Sequence, residues 1–386
     1  MKVAVIRGFW LNPFEMQYYE PLKRYYDITA FTTRDHVFDI GSVNLPIVTL
    51  RSARQIGMGI PKFQGLCDRI MRRILGSEFY NVGLTKQLKG FDIVHSVEAH
   101  NIFSYQALKA KRQYGAKIVL TVNENIPFIY MTDPFLKEIK MCILDEADFF
   151  IAVTERSKRS LLLEGAPEKK IEVIGHGLDV DRFRPGQKEP SLMKELGLSA
   201  DHTVILFVGQ LIWSKGVYDF VSAAASLLRD ESLRKPRLKF LLAGKGKEEK
   251  PLRNLIARLN LDNQVSLVRT RSYSEMEKLH NLADIFVLPS IPIETWREQF
   301  GMVLIESMAC GKPVVSTYCG AIPEVVGNAG VLVPPADPFG LAEAIRTLIL
   351  DPQLRDELGR RGRERVVENW DAQKVSERIR HVYESL

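Results

Sequence analysis

Two glutamates with seven residues between them, Glu298 and Glu306, indicate a site for a ligand with charged and hydroxyl-bearing parts. The apolar run 283–290 before them is typical of a buried parallel strand, and residues 302–310 predict a helix that stops at Gly311. The loop between strand and helix then lies at the carboxyl edge of a sheet, where the N–H groups of a helix N-terminus favour an anion. The two carboxylates would reach different parts of one ligand, such as a diphosphate between two hydroxyl-bearing groups.

Two glycines and a lysine belong to the same predicted crevice. Gly301 removes a side chain where a ligand would otherwise collide with it. Lys215 lies in the loop after a predicted strand that ends at Gly209, where its ammonium could neutralise phosphate oxygens. Gly320 either presents N–H groups to this crevice or caps the following helix. The alternative is that both glutamates are solvated helix-flanking charges, Phe300 belongs to the core and the lysine lies on the surface.

Length and composition bound the class of protein. A chain of 386 residues suits two domains of ordinary size. Its hydrophobic fraction of 46% and charged fraction of 26% are those of a soluble globular protein. The net charge of +6 fits an anionic ligand or an anionic membrane surface. Nucleic acid is a weaker fit because no arginine-rich block, zinc spacing or RNA-binding motif is present.

The cysteines and the apolar runs predict a cytoplasmic location. Four scattered cysteines are too few for a disulfide framework or a metal site. The first apolar run is too short for a signal peptide, and no run approaches the length of a spanning helix. Within residues 51–89, the stretch 69–79 is basic and amphipathic, so that it could contact anionic lipid at the inner face of a membrane. An ordinary solvated helix face is the alternative.

The N-terminal half predicts strands at 2–6, 91–95 and 117–122, with a helix at 105–113 before the third. Only one glycine, Gly8, follows the first strand, which argues against a nicotinamide fingerprint. Gly8 either lets a ligand or an opposing domain approach the backbone or is a simple turn glycine. Polar side chains follow the later strands and are expected to face a cleft: His95, Glu98, His100, Asn123, Glu124 and Asn125. Each histidine by itself fits a structural role better than a catalytic one.

The C-terminal half repeats the same pattern. The runs ADFFIAVT and ADIFVLPS share an Ala-Asp pair, four apolar residues and a final hydroxyl residue. A polar linker after Pro185 separates two series of alternating strands and helices. Further strands are predicted at 203–208, 238–244, 265–268, 283–290, 313–316 and 331–333. The sequence therefore predicts an α/β protein with two doubly wound domains.

Several segments together resemble glycosyltransferase family 4, retaining enzymes of the GT-B fold that use nucleotide sugars. They are VGQLIWSKG, LADIFVLPS, EQFGMVLIESMACGKPVV, CGAIPEVVG and GVLVPPADP, with EADFFIAVTERSK and KIEVIGHGLDVDRF in the first half. The resemblance implies two Rossmann-like domains facing across a cleft. Residues 1–183 would form the acceptor side, with helix 371–386 packing back on it, and 200–370 would bind the nucleotide sugar. Hinges are expected near Arg184 and Trp370.

The resemblance also implies residue roles. Glu298 would bind the sugar hydroxyls and Glu306 the nucleotide ribose. Lys215 would hold the diphosphate together with the backbone amides of Phe300, Gly301, Met302 and Val303. Glu298, Lys215 and Asn123 form the expected catalytic set, and further donor-binding residues are Gly8, Gly209, Gln210, Arg269, Arg271 and Gly320. Members usually need no metal, because cationic groups and the helix N-terminus stabilise the leaving diphosphate.

Four positions depart from the family pattern. Gln210 stands where arginine is usual, so that one positive charge is missing near the phosphates. Asn123 occupies the place of a histidine in many members, and His176 that of a common asparagine. Arg269 stands where glycine is frequent, and we hypothesise that Arg269 or Arg271 supplies the missing charge. Unchanged donor affinity after replacing both arginines with alanine would remove that hypothesis.

The expected reaction is transfer of a hexosyl unit from a UDP- or GDP-linked sugar to a hydroxyl, with retention of configuration. The acceptor would be a glycan, a lipid-linked molecule or a small molecule, as in polysaccharide biosynthesis, and no cofactor is expected. One alternative is a nucleotide-sugar 2-epimerase of the same fold. The other is a non-catalytic carbohydrate-binding protein, which the departures at Gln210 and Asn123 leave open.

Overall fold

The structure is a computed structural model that describes residues 1–57, 79–233, 237–269 and 271–386. It contains two compact units: unit 1 comprises Met1–Gly177 and Ala372–Leu386, and unit 2 comprises Leu178–Asp371. Residues 69–78, most of the basic stretch predicted to contact lipid, lie outside the described residues. Within the described ranges, no helix is long and apolar enough to cross a membrane.

Unit 1 is built on a seven-stranded parallel sheet with the order β3-β2-β1-β4-β5-β6-β7. The central strands β1, β4 and β5 are buried almost throughout, as expected for a parallel sheet covered by helices. Their bounds are β1 Lys2–Gly8, β2 Asp27–Thr33, β3 Ile47–Leu50, β4 Ile93–Val97, β5 Lys117–Val122, β6 Phe149–Ala152 and β7 Ile171–Val173. The order reverses between β1 and β4, so that the loops after these two strands lie at a topological switch point.

The helices of unit 1 begin with side-chain caps at several termini. Asp133 accepts hydrogen bonds from the N–H groups of Phe135 and Leu136, and Thr154 accepts from Ser157 N–H. The helices before the linker are α1 Pro13–Met16, α2 Ala53–Gly57, α3 Leu84–Gln87, α4 Ile102–Tyr114, α5 Pro134–Glu146 and α6 Glu155–Leu163.

Unit 2 is built on a six-stranded parallel sheet with the order β10-β9-β8-β11-β12-β13. This is the strand order of a dinucleotide-binding Rossmann fold, and it reverses between β8 and β11. The strands are β8 His202–Val208, β9 Arg237–Ala243, β10 Val265–Val268, β11 Ile285–Leu288, β12 Val314–Thr317 and β13 Gly330–Val333. The six predicted strands of this half are confirmed.

The helices of unit 2 cover both faces of its sheet. Helices α13 and α14 each begin with proline at the first helical position. The preceding aspartates, Asp337 and Asp351, cap them by accepting hydrogen bonds from backbone N–H groups of the first turn. The bounds are α7 Pro190–Glu195, α8 Val217–Arg229, α9 Glu249–Arg258, α10 Met276–Leu282, α11 Met302–Ala309, α12 Ile322–Val326, α13 Pro338–Leu350 and α14 Pro352–Asn369.

The last helix, α15 Ala372–Glu384, belongs to unit 1 although it follows unit 2 in the chain. Val375, Ile379 and Val382 are buried in the same core cluster as residues of β1 and β2. The spacing of these residues places them on one face of the helix.

The α/β fold class with two doubly wound units is confirmed, whereas several element bounds differ from expectation. The strand predicted at 91–95 lies at Ile93–Val97, and the helix predicted at 105–113 extends over Ile102–Tyr114. Strands β2, β3 and β7 were not predicted, because their short or mixed runs carry no clear apolar period.

Candidate active site

The candidate site of unit 2 lies at the switch point of its sheet. Strands β8 and β11 are neighbours, with Ile205 paired to Ile285. Lys215 comes from the loop after β8, and Glu298 comes from the loop after β11. Crevices at the carboxyl ends of such strand pairs are where open α/β sheets bind ligands.

Lys215 and Glu298 form an ion pair in this crevice. The Lys215 Nζ lies 3.0 Å from Oε1 and 2.8 Å from Oε2 of Glu298. The two side chains are 17% and 9% exposed, so that the pair is largely shielded from water. The ammonium also lies 4.5 Å from the centre of the Trp296 ring, a cation–π contact.

Two close backbone contacts hold the Glu298 loop, one with the loop of Lys215 and one with the loop after β12. Gly216 has φ +68°, and a Cβ there would lie 1.9 Å from the Pro289 carbonyl oxygen. Gly320 has φ +59°, and its Cβ would lie 2.1 Å from the Glu298 carbonyl oxygen. Only glycine satisfies both the left-handed conformation and the close approach at these positions.

Ser290 also holds Glu298, a contact that the sequence did not predict. The Ser290 hydroxyl donates to its Oε2 at 2.7 Å, and the Glu298 carbonyl accepts from Ala321 N–H at 2.9 Å. Ser290 ends the run ADIFVLPS, so the hydroxyl residue at the strand exit was the available signal. The second hydroxyl residue of the repeated pattern, Thr154, instead caps helix α6.

Glu306 lies inside α11 and is 3% exposed. Its Oε2 is 3.2 Å from Nε2 of His280, a side chain that is fully buried. Because Glu298 is also only 6% exposed, the alternative of two solvated helix-flanking charges is wrong. No local sequence signal identified His280 as a partner, since it lies on a different helix.

The N-terminus of α11 begins at Met302, directly after Gly301 with φ +91°. Gly301 is buried, whereas Met302 and Val303 are half-buried. Phe300 is 4% exposed and packs edge-on against Trp370 with ring centres 5.6 Å apart. The Phe300 side chain is therefore core, which leaves its backbone N–H for the predicted ligand role.

The other predicted donor-binding residues of unit 2 lie on neighbouring loops. Gly209 N–H donates to the Ala243 carbonyl at 3.0 Å, and Gln210 is exposed. Arg269 is exposed, and Arg271 makes an ion pair with Glu195 at 2.5 Å. The Arg271 guanidinium therefore has a carboxylate partner within its own unit.

Unit 1 carries a second polar group at its own switch point. Gly8 ends β1 with φ +54°, and a Cβ there would lie 2.8 Å from the Phe103 ring. This packing requires glycine at the position, and a ligand role for Gly8 stays a prediction. His95 is fully buried, with Nδ1 2.6 Å from the Tyr383 hydroxyl and Nε2 2.7 Å from the Thr121 hydroxyl. Burial holds the pKa of His95 well below its ordinary value, which agrees with a structural role.

Glu98 and Asn123 are brought together by the loops after β4 and β5. Asn123 N–H donates to Glu98 Oε1 at 2.8 Å, and Glu98 adopts a left-handed φ of 61°. Burial and the neighbouring Glu124 carboxylate raise the pKa of Glu98 to about 7. His100 stacks on Tyr130 with ring centres 3.8 Å apart, and burial lowers its pKa to about 3.

A buried network next to this group had no clear sequence signal. The Arg7 guanidinium is 1% exposed and donates to Glu15 at 2.7 Å and to the Tyr19 hydroxyl at 2.6 Å. Asn125 is also buried. Within the described ranges, no group of three or more histidine, cysteine or acidic side chains is arranged to hold a metal ion.

Two family models match the chain. The model for "Glycosyltransferase Family 4" matches residues 46–182, and the model for "Glycosyl transferases group 1" matches residues 188–365. Together the two matches extend over most of both units.

Curated relatives carry related names. The chain is 31% identical over 298 residues to a D-inositol 3-phosphate glycosyltransferase of Catenulispora acidiphila, covering 72% of this chain and 68% of the relative. It is 28% identical over 303 residues to the N-acetyl-alpha-D-glucosaminyl L-malate synthase of Bacillus anthracis, covering 77% and 75%. Its matches to three other D-inositol 3-phosphate glycosyltransferases span only 51%, 54% and 59% of the length of those relatives.

A solved structure shares the fold over the whole chain. The crystal structure of Anabaena HepE in complex with UDP and glucose superposes with a TM-score of 0.79 at 20% identity, covering 100% of both chains. At this identity the likeness concerns the fold, which is that of GT-B proteins.

Proposed function

The chain belongs to glycosyltransferase family 4, and on this premise we propose that it is a retaining hexosyltransferase. It transfers a hexosyl unit from a UDP- or GDP-linked sugar to an acceptor hydroxyl. The observation that carries the proposal is the Lys215–Glu298 pair at the β8/β11 switch point, beside the N-terminus of α11. A shielded cation, a fixed carboxylate and a helix N-terminus in one crevice suit a sugar diphosphate.

In this proposal the two carboxylates contact different parts of the donor. Glu298, oriented by Lys215 and Ser290, accepts hydrogen bonds from hydroxyls of the hexose. Glu306, oriented by His280, accepts from the ribose hydroxyls of the nucleotide. A fixed carboxylate loses little orientational freedom on binding, which favours affinity for hydroxyl groups.

The diphosphate lies against Lys215 and the backbone N–H groups that begin α11. Residues Phe300 to Val303 supply these groups, because the first N–H groups of a helix have no partner within it. The bond between the anomeric carbon and the bridging phosphate oxygen breaks, and its electron pair leaves with the nucleoside diphosphate. Positive charge directed at that oxygen stabilises the developing anion.

Attack by the acceptor occurs on the face that the leaving group departs from, which retains the anomeric configuration. The acceptor hydroxyl oxygen forms the new bond, and its proton passes to the departing phosphate oxygen. Asn123 and the polar group of unit 1 are assigned to the acceptor side, with residues 1–183 as the acceptor domain.

The names of two relatives support a class of acceptor. They refer to D-inositol 3-phosphate and L-malate, both small molecules with a free hydroxyl. We therefore place small hydroxyl-bearing molecules first, with glycans and lipid-linked acceptors as further classes. No metal or cofactor is assigned a role.

A donor panel tests the proposal. UDP-glucose, UDP-N-acetylglucosamine and GDP-mannose are each incubated with inositol 3-phosphate, malate or a hexoside, and nucleotide release and the product anomer are followed by NMR. We expect one pair to give a retained product. An inverted product would refute retention, and absence of turnover with every pair would refute the enzyme assignment.

Glu298→Ala distinguishes the carboxylate role from loop packing. We expect turnover to fall by at least about 100-fold, because the hydroxyl contacts and the orientation of Lys215 are lost together. Glu294→Ala, an exposed glutamate of the same loop, is the matched control and should retain activity. Equal activity of both variants would remove Glu298 from the site.

A further inference from the structure

Asn123 is fixed by three hydrogen bonds from three different elements. Its N–H donates to Glu98 Oε1 at 2.8 Å, and its carbonyl accepts from Ser157 Oγ at 3.0 Å. Its side-chain Oδ1 lies 2.7 Å from Nε2 of His176. Backbone and side chain are therefore both fixed, although Asn123 is only half-buried.

His176 can make its contact in only one protonation pattern. It is 5% exposed, and burial lowers its pKa to about 4, so that the imidazole is neutral at pH 7. A neutral imidazole has one N–H group, and the Asn123 Oδ1 can only accept a hydrogen bond. Nε2 therefore donates to Asn123, and Nδ1 accepts from the Tyr18 hydroxyl at 2.9 Å.

Asn123 and His176 lie on the loops after β5 and β7, so that their hydrogen bond joins two separate loops of unit 1. We propose that His176 is a positioning residue for Asn123 in the proposed reaction. Its Nε2–H fixes the amide so that the Asn123 NH2 group faces away from His176, toward the substrate.

The orientation determines which ligand atoms Asn123 can contact. An amide NH2 group only donates, so that it suits an oxygen of the acceptor. If the amide were turned, its carbonyl oxygen would face the substrate and could only accept. The inference rests on the proposed function for its substrate, but the His176–Asn123 geometry stands independently of it.

Four proteins test this hydrogen bond: wild type, Asn123→His, His176→Asn and the double variant. Turnover of UDP-glucose and of GDP-mannose is measured by nucleotide release. We expect each single variant to lower kcat by about tenfold to hundredfold, with little change in KM for the donor, because a misplaced group affects the reaction step. The double variant restores a His–Asn hydrogen bond in the reverse sense and should recover to within about fivefold of wild type.

Two results would overturn the proposal. One is a double variant no more active than the weaker single variant, and the other is an unchanged His176→Asn variant. His176→Gln, which keeps a donor group, should retain more activity than His176→Leu, whereas equal losses would indicate packing alone. Thermal unfolding of each variant confirms that the assayed proteins are folded.

A spectroscopic measurement separates this inference from the proposed function. Nitrogen NMR of histidine-labelled protein at pH 7 should show His176 protonated at Nε2, with its resonance identified by its loss in His176→Asn. The N–H resonance should shift in Asn123→Ala. Protonation at Nδ1 would overturn the inference, whether or not the wild-type protein turns over a nucleotide sugar.

Discussion

Neighbouring groups fix both the carboxylate and the backbone of Glu298. Its oxygens accept from Lys215 and Ser290, and its own carbonyl accepts from Ala321. Removing charge from water is costly, and a partner within about 3 Å together with a hydroxyl donor offsets that cost. The position of the carboxylate also depends on the backbone of Glu298, which lies directly against Gly320.

Gly320→Ala should damage both stability and activity. The added Cβ would lie 2.1 Å from the Glu298 carbonyl oxygen, so the loop of Glu298 must move. We expect a loss of about 1–3 kcal/mol from overpacking, in addition to the cost of a left-handed alanine. Urea unfolding and donor turnover measure the two effects.

Gly165→Ala is the matched control for that substitution. Gly165 has φ +97°, but nothing lies within 4 Å of a Cβ built there. It therefore reports the cost of the positive φ alone, about 1–2 kcal/mol. Equal losses at both positions would show that the contact with the Glu298 carbonyl is unimportant.

Glu98 predicts a pH dependence of stability. Its pKa is raised from 4.5 to about 7, so that between these values the folded protein binds more protons than the unfolded chain. Stability contributed by this group is therefore present at low pH and falls as pH rises from about 4.5 to 7. Glu98→Gln keeps an oxygen for Asn123 N–H and does not ionise.

The stability of Glu98→Gln relative to wild type should thus increase across that pH window and level off above it. Urea midpoints at pH 5, 6, 7 and 8 measure the difference. Glu138→Gln, at an exposed position, is the control for loss of one negative charge. A difference for Glu98→Gln that is constant with pH would contradict a raised pKa.

Among the contacts between helix α15 and the rest of unit 1 are two tyrosine hydroxyl hydrogen bonds, one buried and one exposed. The Tyr383 hydroxyl lies 2.6 Å from His95 Nδ1, deep in the core. The Tyr25 hydroxyl donates to Glu377 at 3.1 Å on the surface. The buried contact satisfies a histidine nitrogen that water does not reach.

Tyr383→Phe should destabilise unit 1 by about 1–2 kcal/mol, because it leaves the buried His95 nitrogen without its partner. Tyr25→Phe removes the exposed hydroxyl and should have a smaller effect, since water replaces it. Urea unfolding followed by tyrosine and tryptophan fluorescence compares the two. A larger effect of Tyr25→Phe would contradict this account of how α15 is anchored.

Elements with long apolar runs could be predicted from sequence, and their loop partners could not. The buried runs of β8 and β11 and the helix after Glu298 were predicted close to their observed bounds. Strand β2, with the sequence DITAFTT, was missed because threonine and aspartate interrupt its apolar pattern. Lys215 and Glu298 were predicted for one ligand, whereas their direct pairing depends on how two distant loops pack.

Buried polar partners were the least predictable part of the site. His280 and His176 contact Glu306 and Asn123 from segments 26 and 53 residues away. Composition and periodicity contain no information on such contacts. The family resemblance identified both His176 and Asn123 as departures, whereas their hydrogen bond is visible only in the structure.

For the whole molecule, the important feature is that unit 1 is discontinuous in sequence. The chain passes from unit 1 to unit 2 after Gly177 and returns at Ala372. The returning helix supplies Val375, Ile379 and Val382 to the core cluster that contains Val3 and Val5. The core of unit 1 therefore depends on residues that lie about 190 positions further along the chain than the rest of the unit.

Deletion of residues 372–386 should therefore affect the two units unequally. We expect faster hydrogen exchange in β1 and β4 of unit 1, because the apolar surface covered by α15 becomes exposed. Strands β8 and β11 of unit 2 should keep their protection. His381→Ala, at an exposed position of α15 whose ion-pair geometry is with Glu384 of the same helix, is the control with the helix intact. Equal loss of protection in both units would contradict the division.

The late position of α15 also sets an order of events during synthesis on the ribosome. The N-terminal sheet emerges first, but about 190 residues of unit 2 are translated before its closing helix appears. At about 5–20 residues per second this delay is about 10–40 s, far longer than a domain of this size needs to collapse. The nascent chain thus completes its second lobe while the first still exposes an apolar groove, and that interval is when a chaperone has most reason to bind it.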